Sequence, residues 1–316
     1  MAKVKAKKVK KAIDVNSPEF NQQGHGVTYV KQNGIATITI NRVERGNSLA
    51  PHMQQLFKAI WADVRDNLDV RVAIVQAAGD KHFCTGFDVS EADSDEAADE
   101  VFVDKPFRQS VFWSSYQNDV WKPVICVVNG TCVGGGHHFV VDADIVIASK
   151  NVRFIDSHVN VGMVGAIENI GLAKRLPLGT ALRMTLQGSS YRLGAERAYQ
   201  LGLVDELTET PDDARKLAQD IAQQILKNSP NAMALSKKAI WGSLEQGYEK
   251  SLADGWELLK AHWQHPDFIE GPKAFGEKRE PRWDARPLTK KTKKRVTAKK
   301  NTQKKKARPL NKKGKK

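Results

Sequence analysis

The chain has 316 residues, of which 41% are hydrophobic, and its formal net charge is +14. This length is sufficient for one large domain with a full hydrophobic core. Three cysteines without metal-ligand spacing argue against a disulfide-stapled secreted domain, and we find no signal-peptide pattern or apolar run of membrane-spanning length. We therefore expect a cytoplasmic protein with one large domain, a helical appendage and no membrane span.

The positive charge is concentrated at the two ends of the chain. Residues 1–11 contain six lysines, residues 288–316 contain thirteen lysines and two arginines, and neither segment contains an acid. The interior is therefore acidic. Segments this rich in lysine and poor in apolar residues cannot build a core, so we expect both to be disordered tails. Nucleic acid, polyphosphate or an anionic membrane surface would attract such tails without sequence recognition.

The first predicted elements are strands and a helix. Residues 36–40 alternate as a strand does, and apolar residues then recur at helical spacing. That stripe, which we expect to face the core, consists of Met53, Leu56, Phe57, Ile60, Trp61, Val64 and Leu68. A second apolar strand, 72–75, leads through Gly79 to a glycine-bearing turn at 83–89, FCTGFDV. Taken alone, such a turn is weak evidence of function.

The most informative segment is 122–140, KPVICVVNGTCVGGGHHFV. It is typical of a buried strand that turns through glycines into a helix. A helix N-terminus supplies unpaired N–H groups and the positive end of a dipole, and the glycines at 134–136 permit close approach. Two such turns could supply two donors, which together would form an oxyanion hole for acyl transfer or enolate formation.

The last third of the interior is predicted to be helical. After Val204 the pattern is almost entirely that of amphipathic helices, with Pro211 near the start of one helix and Ser229-Pro230 at the start of the next. Apolar stripes on these helices would suit contacts between subunits.

Four blocks, in this order and spacing, resemble the enoyl-CoA hydratase/isomerase (crotonase) superfamily over about residues 27–283. The blocks are 40–49, INRVERGNSL; 83–88, FCTGFD; 122–136, KPVICVVNGTCVGGG; and 270–279, EGPKAFGEKR. The resemblance implies an α/β fold, a superhelical spiral of ββα turns with a C-terminal helical region for trimerisation. Between the tails 1–11 and 288–316 we therefore expect a spiral core at 12–205 and a helical oligomerisation region at 206–287.

The resemblance also implies an acyl-CoA substrate and several binding residues. Residue matching gives the backbone amides of Phe87 and Gly135 as the oxyanion hole for the thioester oxygen. Coenzyme A enters as part of the substrate, and no separate cofactor is expected. The residues implied for its binding are Arg45, Asp88, Phe275 and Lys278.

The acid–base positions depart from the pattern that this family's hydratases have. Where those hydratases carry two glutamates that handle one water, this chain has His138 and His158. Imidazoles still exchange protons near neutral pH, but two negative charges are lost. Asp156 or Glu168 could orient His158 through one ring nitrogen, as in the β-diketone hydrolases of the superfamily. Glu168 is equally compatible with a helix-starting acid on a favourable dipole.

Three hypotheses follow from these residues. The first is an enoyl-CoA hydratase-like lyase that stabilises a thioester enolate, with His158 as base or water activator and His138 as acid or polar partner. The second is a retro-Claisen hydrolase that cleaves a carbon–carbon bond in a β-diketone or β-oxoacyl-CoA. The third is a non-catalytic trimer or hexamer that displays the basic tails. A zinc site at His137, His138 and His158 lacks supporting ligand spacing, and we expect no metal.

Overall fold

The computed structural model describes residues 13–91 and 105–287. The tails predicted at 1–11 and 288–316 lie outside the described residues, so their expected disorder and polyanion binding stay predictions. The chain divides into two compact units, one that ends at Leu226 and one that begins at Lys227. None of the described helices is long and apolar enough to cross a membrane.

Two sheets form the first unit. The described strands are β1 (Val27–Gln32), β2 (Ile35–Ile40), β3 (Val72–Ala77), β4 (His82–Cys84), β5 (Val124–Val128), β6 (Thr131–Val133), β7 (Ile145–Ser149), β8 (Arg153–Ile155), β9 (Leu193–Gly194) and β10 (Glu206–Thr208). The larger sheet has the order β1-β2-β3-β5-β7-β10. Its first two strands form a hairpin through Asn33 and Gly34, which both have positive φ. The remaining pairs are parallel.

The smaller sheet has the order β4-β6-β8-β9. Its first three strands are parallel, and β9 is antiparallel to β8. Carboxyl ends of parallel strands meet at one edge of a sheet, where the following loops can build a site. The segments that follow β4, β6 and β8 are therefore brought together.

Helices surround the sheets and form the second unit. The described helices are α1 (Met53–Asp66), α2 (His137–Val141), α3 (Ile167–Arg175), α4 (Leu178–Gln187), α5 (Ala195–Gln200), α6 (Pro211–Ile225), α7 (Pro230–Gly242), α8 (Tyr248–His262) and α9 (Asp267–Gly276). The apolar stripe predicted for α1 is buried as far as Val64. The helix ends at Asp66, so Leu68 lies beyond it and is 44% exposed.

Helix α6 belongs to the core of the first unit. Its buried face of Ala214, Ala218 and Ala222 packs in one cluster with sheet residues such as Val72 and Ile125. Small side chains at this spacing let a helix lie close to a sheet. The sequence assigned this segment to the helical region 206–287, whereas the border between the compact units lies after Leu226.

Candidate active site

Three strand ends of the smaller sheet meet at the candidate active site. Strand β4 leads into Gly86 and Phe87, β6 into Gly134 and Gly135, and β8 into Asp156. The glycine turns and the acid–base residues predicted from the sequence therefore start from adjacent parallel strands. This arrangement depends on the sheet order, which the sequence motifs alone do not specify.

The backbone around Phe87 leaves its amide available. Leu49 forms an isolated parallel bridge with Phe87. In this bridge the Leu49 N–H donates to the Gly86 carbonyl at 2.8 Å, and the Asp88 N–H donates to the Leu49 carbonyl at 2.9 Å. Both hydrogen bonds of the bridge use the residues before and after Phe87, namely the Gly86 carbonyl and the Asp88 N–H. The N–H of Phe87 itself therefore points away from Leu49. Gly86 has φ +89°, and a methyl group there would lie 3.1 Å from the Val133 carbonyl, so glycine is required.

The second amide lies beside the first. Gly135 is the middle residue of the 3₁₀ turn Gly134–Gly136, whose N–H groups have no acceptor inside the turn. A methyl group built on Gly135 would lie 3.7 Å from the Phe87 nitrogen. One built on Gly86 would lie 3.5 Å from the Gly135 nitrogen. Two neighbouring amides of this kind can stabilise an oxygen on which negative charge develops.

The imidazole of His158 lies between two carboxylates. Its Nδ1–H donates to Asp156 Oδ1 at 2.6 Å, and its Nε2 lies 2.8 Å from Glu168 Oε1. The backbone N–H of His158 also donates to Asp156 Oδ1, at 3.1 Å. A methyl group on Gly134 would lie 3.5 Å from the imidazole Cε1, so the ring packs against the turn that carries the Gly135 amide.

These contacts determine the charges of the cluster. Hydrogen bonds to Asp156 and Glu168 raise the pKa of His158 from 6.5 to about 10. Burial alone would raise the pKa of Asp156, but hydrogen bonds, mainly from His158, lower it to about 2. Burial would likewise raise the pKa of Glu168, yet the hydrogen bond from His158 and the charge of that imidazolium lower it to about 2. At neutral pH an imidazolium therefore lies between two carboxylates.

His138 is buried on the other side of Glu168. Its Nε2 lies 3.6 Å from Glu168 Oε2, and its Nδ1 lies 3.0 Å from the side-chain nitrogen of Gln117. The Gln117 oxygen accepts from the Ser114 N–H at 3.1 Å, so the amide group must face His138 with its NH₂. Nδ1 is therefore the acceptor and Nε2 carries the proton. Burial lowers the pKa of His138, which keeps the ring neutral.

Two contributing side chains lie outside the predicted site. Gln117 precedes the informative strand and reaches His138 through a 3₁₀ turn, Tyr116–Asn118, that no motif marks. Asn169 donates to Asp156 Oδ2 at 2.6 Å. It therefore helps to fix the carboxylate that accepts the hydrogen bond from His158. Its place directly after Glu168 is the one sequence signal that could have identified it.

The residues implied for coenzyme A binding lie in two places. In the first unit, Arg45 lies 3.4 Å from Asp88 and donates to the Ser90 hydroxyl at 2.7 Å, and about half of its side chain is exposed. Phe275 and Lys278 lie in the second unit, at and just after the end of α9, and Phe275 is 88% exposed. Arg45 and Asp88 thus already form an ion pair, whereas the ring of Phe275 is open to solvent.

Comparison with known proteins identifies the family. The sequence profile of the enoyl-CoA hydratase/isomerase family matches residues 30–286. The chain belongs to this family, which confirms the crotonase superfamily and the α/β fold predicted from the sequence. A crystal structure of an enoyl-CoA hydratase/isomerase from Mycobacterium paratuberculosis matches with a TM-score of 0.76 and 33% identity, covering 83% of this chain and all of the other.

Two relatives are named for the reactions of acyl-CoA substrates. The chain is 32% identical over 265 residues to (E)-benzylidenesuccinyl-CoA hydratase of Thauera aromatica, covering 81% of this chain and 97% of the relative. It is 31% identical over 271 residues to carnitinyl-CoA dehydratase of Escherichia coli O157:H7, covering 82% and 98%. The chain is accordingly similar to acyl-CoA hydratases and dehydratases.

Proposed function

We propose that this protein is an acyl-CoA hydratase or dehydratase-like lyase that uses an imidazolium–carboxylate cluster as its acid and base. One observation carries the proposal. The His158 imidazolium, paired with Asp156 and Glu168, packs against Gly134, and the next residue supplies an oxyanion N–H. The two relatives named above are a hydratase and a dehydratase, which are the two directions of one reaction.

The contacts favour a division of roles different from the one expected from the sequence. His158 is charged and both of its N–H groups are engaged, so it suits the acid better than the base. Glu168 is ionised and buried next to it, so its carboxylate suits the base that activates water. Asp156, which has no exposed surface, orients the imidazole through Nδ1. His138 is then a neutral ring whose Nε2 lies 3.6 Å from Glu168 Oε2, beyond hydrogen-bond distance.

In this mechanism the cluster ends in the protonation state in which it began. Glu168 takes a proton from water while the hydroxyl oxygen bonds to the β-carbon of an enoyl thioester. The electron pair of the double bond moves to the thioester oxygen, which the N–H groups of Phe87 and Gly135 stabilise. The α-carbon then takes a proton from the His158 imidazolium. Glu168 passes its proton across the 2.8 Å contact to His158, which restores the starting state.

The charge balance supports this reaction. The cluster of Asp156, Glu168, His158 as a cation and neutral His138 has a net charge of −1. A negative charge therefore stays at the site although histidines stand at both positions where this family's hydratases carry glutamates.

The remaining parts of the proposal concern the substrate and its surroundings. Arg45 and Asp88 would contact the coenzyme A part of the substrate, and Phe275 and Lys278 would contact the coenzyme A bound to a neighbouring subunit. Assembly as a trimer or hexamer, a cytoplasmic location and contact of the tails with nucleic acid or polyphosphate stay predictions. The β-diketone hydrolase and the non-catalytic scaffold are the alternatives that the following experiment separates.

The test is mass spectrometry of crotonyl-CoA and a short β-oxoacyl-CoA after incubation with the protein in D₂O. We expect water addition by the wild type and a loss of at least about 100-fold in Glu168→Gln. Glu196→Gln is the matched control, since Glu196 also starts a helix but is exposed. Chain cleavage without hydration would assign the retro-Claisen reaction instead. No change in any thioester would contradict the enzymatic proposal.

A further inference from the structure

His137 is a fully buried histidine beside the site, and the proposed mechanism does not use it. Its side chain has 0% exposure and packs at 6.2 Å from the ring of Phe154. Successive residues of a helix point about 100° apart, so His137 does not share the direction of His138. The mechanism therefore leaves unexplained why a large polar side chain is buried at this position.

The hydrogen bond of His137 identifies its tautomer. Its Nδ1 lies 2.8 Å from the carbonyl oxygen of Gly134. A carbonyl only accepts, so Nδ1 must carry the proton. Burial lowers the pKa of His137, which keeps the ring neutral and leaves Nε2 without a proton. Within the described residues that Nε2 has no hydrogen-bond partner, so the Nδ1–H bond is the polar contact made by the ring.

The carbonyl held by His137 belongs to the peptide that supplies an oxyanion donor. The Gly134 carbonyl and the Gly135 N–H are the two ends of one planar peptide unit and point in opposite directions. Fixing the carbonyl therefore fixes the direction of the N–H. Gly134 has φ +48° and no side chain, so the peptide lacks the steric restraint that another residue would provide.

We propose that His137 is a positioning residue that aims and polarises the Gly135 N–H of the oxyanion hole. An N–H becomes a stronger donor when the carbonyl of its own peptide accepts a hydrogen bond. This inference depends on the proposed thioester chemistry, because the amide has a catalytic role only if a thioester oxygen binds there. His137 itself does not touch the substrate.

The expected effect is smaller than the loss of an oxyanion donor. Removing one such donor typically costs about 100- to 1,000-fold in kcat. His137→Leu would keep the Gly135 N–H and the hydrogen bond from the backbone N–H of residue 137 to the Gly134 carbonyl, but would remove the side-chain hydrogen bond to that carbonyl. We expect roughly a 10-fold loss of kcat with little change in KM, because the interaction strengthens as charge develops on the oxygen. His137→Asn keeps a donor near the Nδ1 position and should recover most of the rate.

A spectroscopic readout separates positioning from a general loss of stability. A thioester labelled with ¹³C at its carbonyl reports polarisation through its infrared stretching frequency. The shift on binding should decrease in His137→Leu and recover in His137→Asn. His265→Leu is the control, because His265 is also buried and its Nε2 lies 2.9 Å from a main-chain carbonyl, that of Arg286. It should lower stability without changing the shift.

Two outcomes would overturn the inference. One is an unchanged kcat and carbonyl shift in His137→Leu, and the other is an equal loss in His137→Leu and His137→Asn. If the leucine variant does not fold, ¹⁵N NMR of the ligand-free wild type still decides, since a proton on Nε2 would contradict the Nδ1 hydrogen bond. An inactive wild type would contradict the proposed function, whereas an active wild type with indifferent variants would contradict this inference alone.

Discussion

The Asp156→Asn substitution tests the charge state of His158. It removes the negative charge 2.6 Å from Nδ1 and keeps an oxygen that can accept the same hydrogen bond. The Asn169 NH₂ faces the replaced oxygen and also donates to Thr185 Oγ1 at 2.9 Å. Rotation of the Asn169 amide would turn its Oδ1, which has no partner within the described residues, toward the new NH₂ and would exchange the contact with the Thr185 hydroxyl. The change is therefore mainly electrostatic.

The size of the effect follows from the two carboxylates. The pKa of His158 rises from 6.5 to about 10, a difference that corresponds to roughly 5 kcal/mol of preferential stabilisation of the imidazolium. The hydrogen bond to Asp156 is the largest single cause of the rise, so the pKa of His158 should fall in Asp156→Asn but stay above 6.5 because Glu168 remains. At neutral pH the variant should then lose a part of this stabilisation, roughly 1–3 kcal/mol of its unfolding free energy.

The sign of the pH dependence is specific. Because the folded state raises the pKa of His158, the stabilisation is complete below about pH 6.5 and is lost as the pH rises through about 10. The difference in unfolding free energy between wild type and Asp156→Asn should therefore have its full size from pH 6 to about pH 7 and nearly vanish at pH 10. For Asp156 and Glu168, whose pKa values are lowered to about 2, the stabilisation is present above about pH 4.5 and is lost in strong acid.

The assay combines urea unfolding between pH 6 and pH 10 with an NMR titration of His158. Asp220→Asn, which changes an exposed acid on α6, is the control and should leave both measurements unchanged. The basic limb of the rate profile should also move from about pH 10 to lower pH in Asp156→Asn. An unaltered pKa of His158 in the variant, or a stability difference that persists at pH 10, would refute the reasoning.

Two further substitutions test the packing and hydrogen bonding of the cluster. In Gly165→Ala the new methyl group would lie 2.9 Å from His158 Nδ1, so we expect a loss of about 1–3 kcal/mol in unfolding free energy together with a loss of activity. Gly179→Ala has open space around its new methyl group and should be neutral or slightly stabilising. Gln117→Glu places an acceptor against His138 Nδ1, so ¹⁵N NMR should show the ring proton moved to Nδ1; retention of the proton on Nε2 would contradict the assigned contact.

The family, its α/β fold and the positions of the glycine turns could be predicted from the sequence because they depend on local rules. Gly86 and Gly134 have positive φ, a backbone conformation that favours glycine over other residues. Such conformations can therefore be recognised from the glycines in the sequence. The stripe of α1 is likewise a local periodicity. Leu68 continues that periodicity although the helix ends at Asp66, since spacing does not indicate where a helix stops.

The partners of the histidines could not be predicted in the same way. Spacing identified His138 and His158 and left both Asp156 and Glu168 as candidates, but it could not place each acid on a particular ring nitrogen. Those contacts depend on how α3 approaches the end of β8, which is a matter of tertiary packing. Gln117 illustrates the same limit, since nothing in its local sequence marks an amide that selects a tautomer 21 residues away along the chain.

The smaller sheet joins the parts of the proposed active site. The segments that follow its adjacent strands β4, β6 and β8 bring the two proposed oxyanion amides and the proposed acid–base cluster to one edge. β4 and β6 are three residues long and have few interstrand hydrogen bonds to lose. An opening confined to this sheet would abolish oxygen binding and proton transfer in the same event while the larger sheet stays intact. Heat inactivation would then precede global unfolding, and hydrogen exchange at Cys84 and Cys132 would report it.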